Sequence, residues 1–171
     1  MSRSRIISTI AVILFLFGIS TFDNAQAGEK RKIKSHSAGY TTTAHQIKVP
    51  DDEGHALVIW ESKAIYFNEI TGEKTADSTQ GFMDMNPVTK EVSVQGYGVN
   101  VDKDGDKAIR TFVGKVVAID QMKGTWTIKS GTGKYKGSKG GGTWTSYTLA
   151  PNQSYNEVEG EMELPWQRSC V

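Results

Sequence analysis

The sequence predicts an all-β chain, a single eight-stranded antiparallel β-barrel, carried behind a cleavable leader. Three observations lead there. Eight segments rich in Val, Ile, Thr, Tyr and Trp follow one another at short intervals, with Gly, Pro, Asn and Asp between them. No segment sustains apolar residues at helical spacing. Eighteen glycines suit tight turns and the sharp strand bending that barrel closure demands, although the same strands would also serve a sandwich.

The first 27 residues read as a secretory signal peptide. Arg3 and Arg5 form a positive head, residues 6–20 are an uncharged apolar run, and Ala25-Gln26-Ala27 supplies small residues at the cleavage point. A membrane anchor would need about 20 apolar residues, and here Asp23 and Asn24 interrupt sooner. Cleavage after Ala27 sends the protein out of the cytoplasm, secreted or periplasmic, with no transmembrane segment left. Residues 28–38, with Lys30, Arg31, Lys32 and Lys34, read as a solvated basic tail. Residues 39–165 are the barrel domain, and residues 166–171 a C-terminal tail. Cys170 is the one cysteine, so no internal disulfide can form. Removing Arg3, Arg5 and Asp23 takes the 20 basic and 19 acidic residues to 18 of each. A neutral domain lacks the basic excess of a nucleic-acid binder.

The strands follow in order. Residues 41–49 are β-branched and stop at Pro50, where Pro50-Asp51-Asp52-Glu53-Gly54 turns the chain. Residues 55–67 form the longest apolar-rich stretch. A more polar segment, 74–85, ends at Asn86-Pro87. Residues 91–101 and 107–119 flank the turn Asp102-Lys103-Asp104-Gly105-Asp106. Segments 124–129 and 142–149 each hold a Trp among Thr residues, and 155–164 ends at Pro165.

Two of these strands declare their faces. In the last, Glu157, Glu159, Glu161 and Glu163 alternate with Val158, Gly160, Met162 and Leu164. Successive side chains project to opposite sides and those on one side stand about 7 Å apart, so the carboxylates form a solvated face and cannot share one ion. In 55–67, Ala56, Val58, Trp60, Ser62, Ala64 and Tyr66 make an uncharged face, while Leu57, Ile59, Ile65 and Phe67 join Glu61 and Lys63 on the other. A strand apolar on both faces needs cover on both. The expectation is a homo-oligomer, dimer or trimer, packed through this region.

Motifs that carry chemistry are few. The glycine-rich run 131–142 fails both phosphate-binding patterns: Lys136 stands where a third glycine is needed, and Tyr135 follows Gly133-Lys134. It reads as a strand connection. Asp102, Asp104 and Asp106 resemble the start of a calcium loop, but Gly105 precedes the third acid and Thr111 stands where the bidentate Glu belongs. They remain a calcium candidate beside a hairpin reading. Hairpin spacing keeps His45 and His55 from sharing a metal, and nothing places His36 with either. No cofactor is expected. Arg110 shares its strand face with Ala108, Phe112, Gly114, Val116 and Ala118. Pointing inward, it is a lone cation in an apolar lumen, suited to a carboxylate or an enolate-like oxygen. Pointing outward, it is an ordinary surface arginine. Glu61 is a similar catalytic candidate.

The run Trp126-Thr127-Ile128-Lys129-Ser130-Gly131-Thr132-Gly133-Lys134-Tyr135-Lys136-Gly137-Ser138-Lys139-Gly140 resembles the signature of the allene oxide cyclase and dirigent barrels. Their signature is a strand, Gly-Thr-Gly, an aromatic, a Gly-Ala pair and a further Gly. Gly96-Tyr97-Gly98, the 102–106 hairpin and Gly114 look like bacterial exported relatives of that barrel. Ser138 replaces the usual Ala, and lysines crowd the turn. The resemblance implies a calycin-like barrel with an apolar lumen, often trimeric. Plant members steer cyclisation or coupling of reactive hydrophobic intermediates, but the family's catalytic acids match no residue here. Three functions follow as expectations. The barrel binds a small hydrophobic molecule, with Trp60, Tyr66, Tyr97, Trp126 and Trp144 as ligand-binding aromatics. Alternatively, it is a cyclase or isomerase using Arg110 or Glu61, or a structural envelope module with a filled lumen.

Overall fold

The computed structural model describes residues 28–165; residues 1–27, expected to be a signal peptide, and residues 166–171, expected to be a tail with Cys170, lie outside it. Eight strands run in chain order: β1 (Glu29–Lys48), β2 (Ala56–Asn68), β3 (Lys74–Asn86), β4 (Glu91–Val101), β5 (Lys107–Ala118), β6 (Gln121–Gly131), β7 (Lys139–Ala150) and β8 (Gln153–Leu164). Each pairs antiparallel with the next, and β8 returns to β1 to close the barrel. Closure satisfies every strand edge, which a single open sheet cannot do. Among the described residues no helix is long and apolar enough to cross a membrane.

The basic segment 28–38 is not a tail. From Glu29 on it is the first half of β1, with Lys30, Lys32 and Lys34 opposite Glu163, Glu161 and Glu159 of β8. The acidic outer stripe of β8 thus has a basic stripe as its neighbour, and opposite charges across a strand pair favour that register. Read alone, a charged run without apolar alternation looks like a solvated end. Its partner lies about 130 residues away by the pairing of Lys30 with Glu163.

Inside, Val94, Phe112 and Trp126 form a buried cluster flanked by Ile33, Trp60, Met122, Trp144 and Val158. Glycine pairs make room for the rings. A Cβ on Gly81 would come within 2.9 Å of Trp60, one on Gly124 within 2.7 Å of Trp144, and one on Gly160 within 2.8 Å of Trp126. Gly81 faces Gly96, Gly114 faces Gly124 and Gly142 faces Gly160 across neighbouring strands. Each pair leaves a bare patch of backbone on which an indole or phenyl ring lies.

One end of the barrel is plugged. The connection between β6 and β7 makes a short 3-10 turn, Gly133–Tyr135, and buries Tyr135 against Ala108 and Leu164. Lys134 anchors it, its ammonium 2.8 Å from Asp102 Oδ2 and 2.9 Å from Glu73 Oε1. This corrects the calcium candidate. Asp102 already receives the Asp104 and Asp106 backbone N–H groups at 2.9 and 3.0 Å, and Asp106 receives the Lys134 N–H at 2.9 Å. A lysine ammonium fills the place a cation would take.

Candidate functional site

Between the plug and the β7–β8 turn lies a cavity of about 340 Å³. Trp60, Phe112, Trp126 and Trp144 line its waist, with Val58, Met83, Val94, Met122 and Val158 between them. Thr41, Thr148, Asn152, Gln153 and Ser154 line the far end. The indole N–H groups of Trp126 and Trp144 donate to the Glu159 and Thr125 carbonyls at 3.1 and 3.2 Å, so both rings are held by their own walls. A smaller chamber of about 120 Å³ adjoins the plug. Tyr66, Arg110, Trp126 and Val158 line both spaces.

The floor between the two chambers is polar. Arg110 on β5 reaches across Gly98 of β4, where an added Cβ would stand 2.4 Å from its guanidinium carbon. Its Nη1 lies 2.8 Å from Asp77 Oδ1 on β3 and also donates to Asn100. The Thr79 hydroxyl donates to Asp77 Oδ2 at 2.6 Å. Arg110 packs over the Tyr66 ring, 5.2 Å from its centroid. The pair is deeply buried, with side chains 12% and 2% exposed. Burial works against the Arg110 charge, but Tyr66 and Asp77 outweigh it and hold the pKa above its ordinary value. Burial likewise pushes the Tyr66 phenol up, against the pull of the guanidinium. The phenol is therefore a neutral hydrogen-bonding group at physiological pH.

Of the residues expected at the site, Trp60, Tyr66, Trp126, Trp144 and Arg110 all reach the lumen. Arg110 is not the lone cation expected, because Asp77 neutralises it. Tyr97 and Glu61 point the other way. Tyr97 sits between Gly96 and Gly98, is half exposed, and carries Lys129 Nζ 4.6 Å from its ring centroid on the outer wall. Glu61 sits between the lumen residues Trp60 and Ser62 and accepts from the Gln80 amide outside. One step along a strand reverses the face. Sequence reasoning passed over Asp77, Thr79 and Asn100. Asp77 alternates with Thr75, Thr79, Gly81 and Met83 in a polar-looking segment, and an inward-facing acid there has no local signal.

No protein-family model matches the sequence, and no curated protein does. Solved structures do resemble it. The pterocarpan synthase dirigent protein PsPTS1 superposes with a TM-score of 0.54 at 10% identity, over 83% of this chain and 99% of that one. The pterocarpan synthase dirigent protein GePTS1 gives 0.54 at 11% identity, over 86% and 95%. AbnU, an exo-specific intermolecular Diels-Alderase, gives 0.49 at 14% identity, over 79% and 99%. The closed eight-stranded antiparallel barrel is a dirigent-like barrel. At these identities the likeness is one of fold.

Proposed function

We propose that the protein is an exported barrel that binds one small, largely apolar molecule in its lumen. The aromatic cavity above a buried Arg110–Asp77 floor carries this reading. Its volume lies at the lower end of the range of small-molecule pockets, about 300–1,000 Å³, and an eight-stranded barrel has room for one such ligand. Because Asp77 cancels the Arg110 charge, the ligand group that meets the floor is a neutral hydroxyl or carbonyl rather than a free carboxylate. The filled-lumen structural reading fits this cavity less well. Native mass spectrometry of the mature protein from its natural source tests the proposal. A stoichiometric organic molecule, released on denaturation, is the expected result. A ligand-free barrel that also takes up no neutral aromatic from a panel overturns it.

A second reading is favoured by one feature, a buried charge and a phenol beside an apolar cavity. A cofactor-independent cyclase or isomerase of allene oxide cyclase or dirigent type would use Arg110 to stabilise an oxygen that becomes anionic in the transition state. The dirigent neighbours support keeping this reading open. Turnover of the bound molecule, lost in the Arg110→Met, Asp77→Leu double variant while binding persists, would distinguish catalysis from storage.

The outer wall supports the partner side of the proposal, a homo-oligomer of two or three copies. Ile59 and Phe82 are direct cross-strand neighbours on the outside, 52% and 38% exposed, with Ile65 at 66% on the same strand as Ile59.

A further inference from the structure

The turn between β1 and β2 carries a polar cluster that the lumen does not use. His55 closes that turn, its side chain only 11% exposed. Its Nδ1 lies 2.6 Å from Asp51 Oδ1, and its Nε2 lies 2.8 Å from Asp84 Oδ1 near the end of β3. Donor atoms of Asp51, Asp52 and His55 all lie within 4.8 Å of one another.

Each of the three is held by a further group. Asp84 Oδ1 stands 2.8 Å from His55 Nε2 and so orients the ring with Nδ1 toward Asp51. The Asn86 amide donates to Asp52 Oδ2 at 2.9 Å, and the Asp52 backbone N–H donates to Asp51 Oδ1 at 2.8 Å. A carboxylate behind a histidine is the usual outer layer of a metal-binding imidazole. An imidazole nitrogen and a carboxylate oxygen at 2.6 Å attract only with a positive particle between them. A shared hydrogen fits a gap that short; a metal ion in its place needs the two atoms parted to about 3.4 Å, with Asp52 as a third ligand.

We propose that Asp51, Asp52 and His55 form a divalent transition-metal site, with Asp84 and Asn86 orienting the ligands and a remaining position open to water. One imidazole and two carboxylates suit zinc, whereas calcium takes oxygen ligands alone. Ligands on a tetrahedral zinc at about 2.0–2.2 Å stand roughly 3.4 Å apart. His55 Nδ1 and Asp51 Oδ1, 2.6 Å apart, must part by about 0.8 Å to straddle such an ion while Asp52 moves in, a shift that the exposed Asp51 carboxylate can make. A bound ion would tie the β1–β2 turn to the end of β3.

The test is calorimetric titration of the untagged mature protein, freed of metal with EDTA, with zinc chloride, alongside cobalt(II) absorption as a reporter of coordination. One equivalent of zinc is expected, with the tetrahedral cobalt spectrum. Asp84→Asn weakens binding by about 10–100-fold, and His55→Gln and Asp51→Asn by at least as much. His36→Gln and His45→Gln leave it unchanged. Absence of uptake at millimolar zinc overturns the proposal, as does binding unaltered in His55→Gln. Should His55→Gln lose the near-ultraviolet dichroism of the folded barrel, the exposed Asp51→Asn decides alone: unaltered binding overturns the site, and weakened binding upholds it.

Discussion

Arg110 and Asp77 lie 2.8 Å apart in a lumen that is otherwise mostly apolar, and each is there because the other is. Removing one partner of a buried pair leaves an uncompensated charge, which costs about 3–5 kcal/mol. Arg110→Met therefore destabilises the barrel by that order in urea unfolding, and Asp77→Leu added to it recovers a large part. A double variant no more stable than Arg110→Met would show that the pair is not coupled. Gly124 makes a second prediction at this scale. A Cβ there would stand 2.0 Å from the Val113 carbonyl oxygen and 2.7 Å from the Trp144 ring. Gly124→Ala must shift backbone as well as indole, at a cost of about 1–3 kcal/mol, and it moves the tryptophan emission maximum. Unchanged stability and emission would refute the ring-seat reading. The alternation that put Arg110 on one face with Ala108 and Phe112 was legible, but not whether that face turned inward. The partner was not, because Asp77 meets Arg110 only through the register of β3, β4 and β5.

Two strand-scale features make the barrel hold. The first is the β1–β8 seam, where the chain's beginning and end pair from Glu29↔Leu164 to Tyr40↔Gln153. Exposed charge pairs are individually weak, about 0.2–1 kcal/mol, so the backbone ladder does most of the closing. Deleting residues 28–38 strips β8 of most of its partner and is expected to abolish the folded monomer, seen as loss of dispersed amide resonances. A truncated chain with a native spectrum would restore the tail reading. The second feature is the Lys134 clasp on the plug. Burial alone would raise the Asp102 carboxyl, but Lys134 and the Asp104 and Asp106 N–H groups outweigh it and hold its pKa below the ordinary value. A carboxyl with a folded pKa below its unfolded one adds stability above the unfolded pKa, and that stability is lost as pH falls through the folded pKa. Melting temperature should therefore drop below about pH 4, and drop less steeply in Asp102→Asn. Identical slopes would remove the clasp from the acid limb. The glycine-rich connection was readable as a connection. Its role as a plug was not, because Tyr135 finds Ala108 and Leu164 only once three strand ends converge.

At the scale of the whole molecule, closure divides every strand into an inner and an outer face. The lumen receives the rings; the outer wall keeps Ile59, Ile65 and Phe82 exposed. Burying such a patch between copies is the ordinary remedy. Ile59→Glu with Phe82→Glu is expected to convert a dimer or trimer to monomer by light scattering at micromolar protein. A wild-type monomer under the same conditions would dismiss the oligomer.

By itself the sequence determined the class of fold, the number of strands, most of their limits and which residues of a strand share a face. Those properties are local, written in alternation of period two and in turn residues. Only the tertiary structure decided that residues 28–38 complete β1, that Asp77 neutralises Arg110, that Lys134 occupies the acidic turn, and that Tyr97 and Glu61 look outward. Each of these depends on register between strands or on which face closes inward. A chain of alternating residues states that it has two faces; the pairing of β8 with β1 decides which becomes the inside.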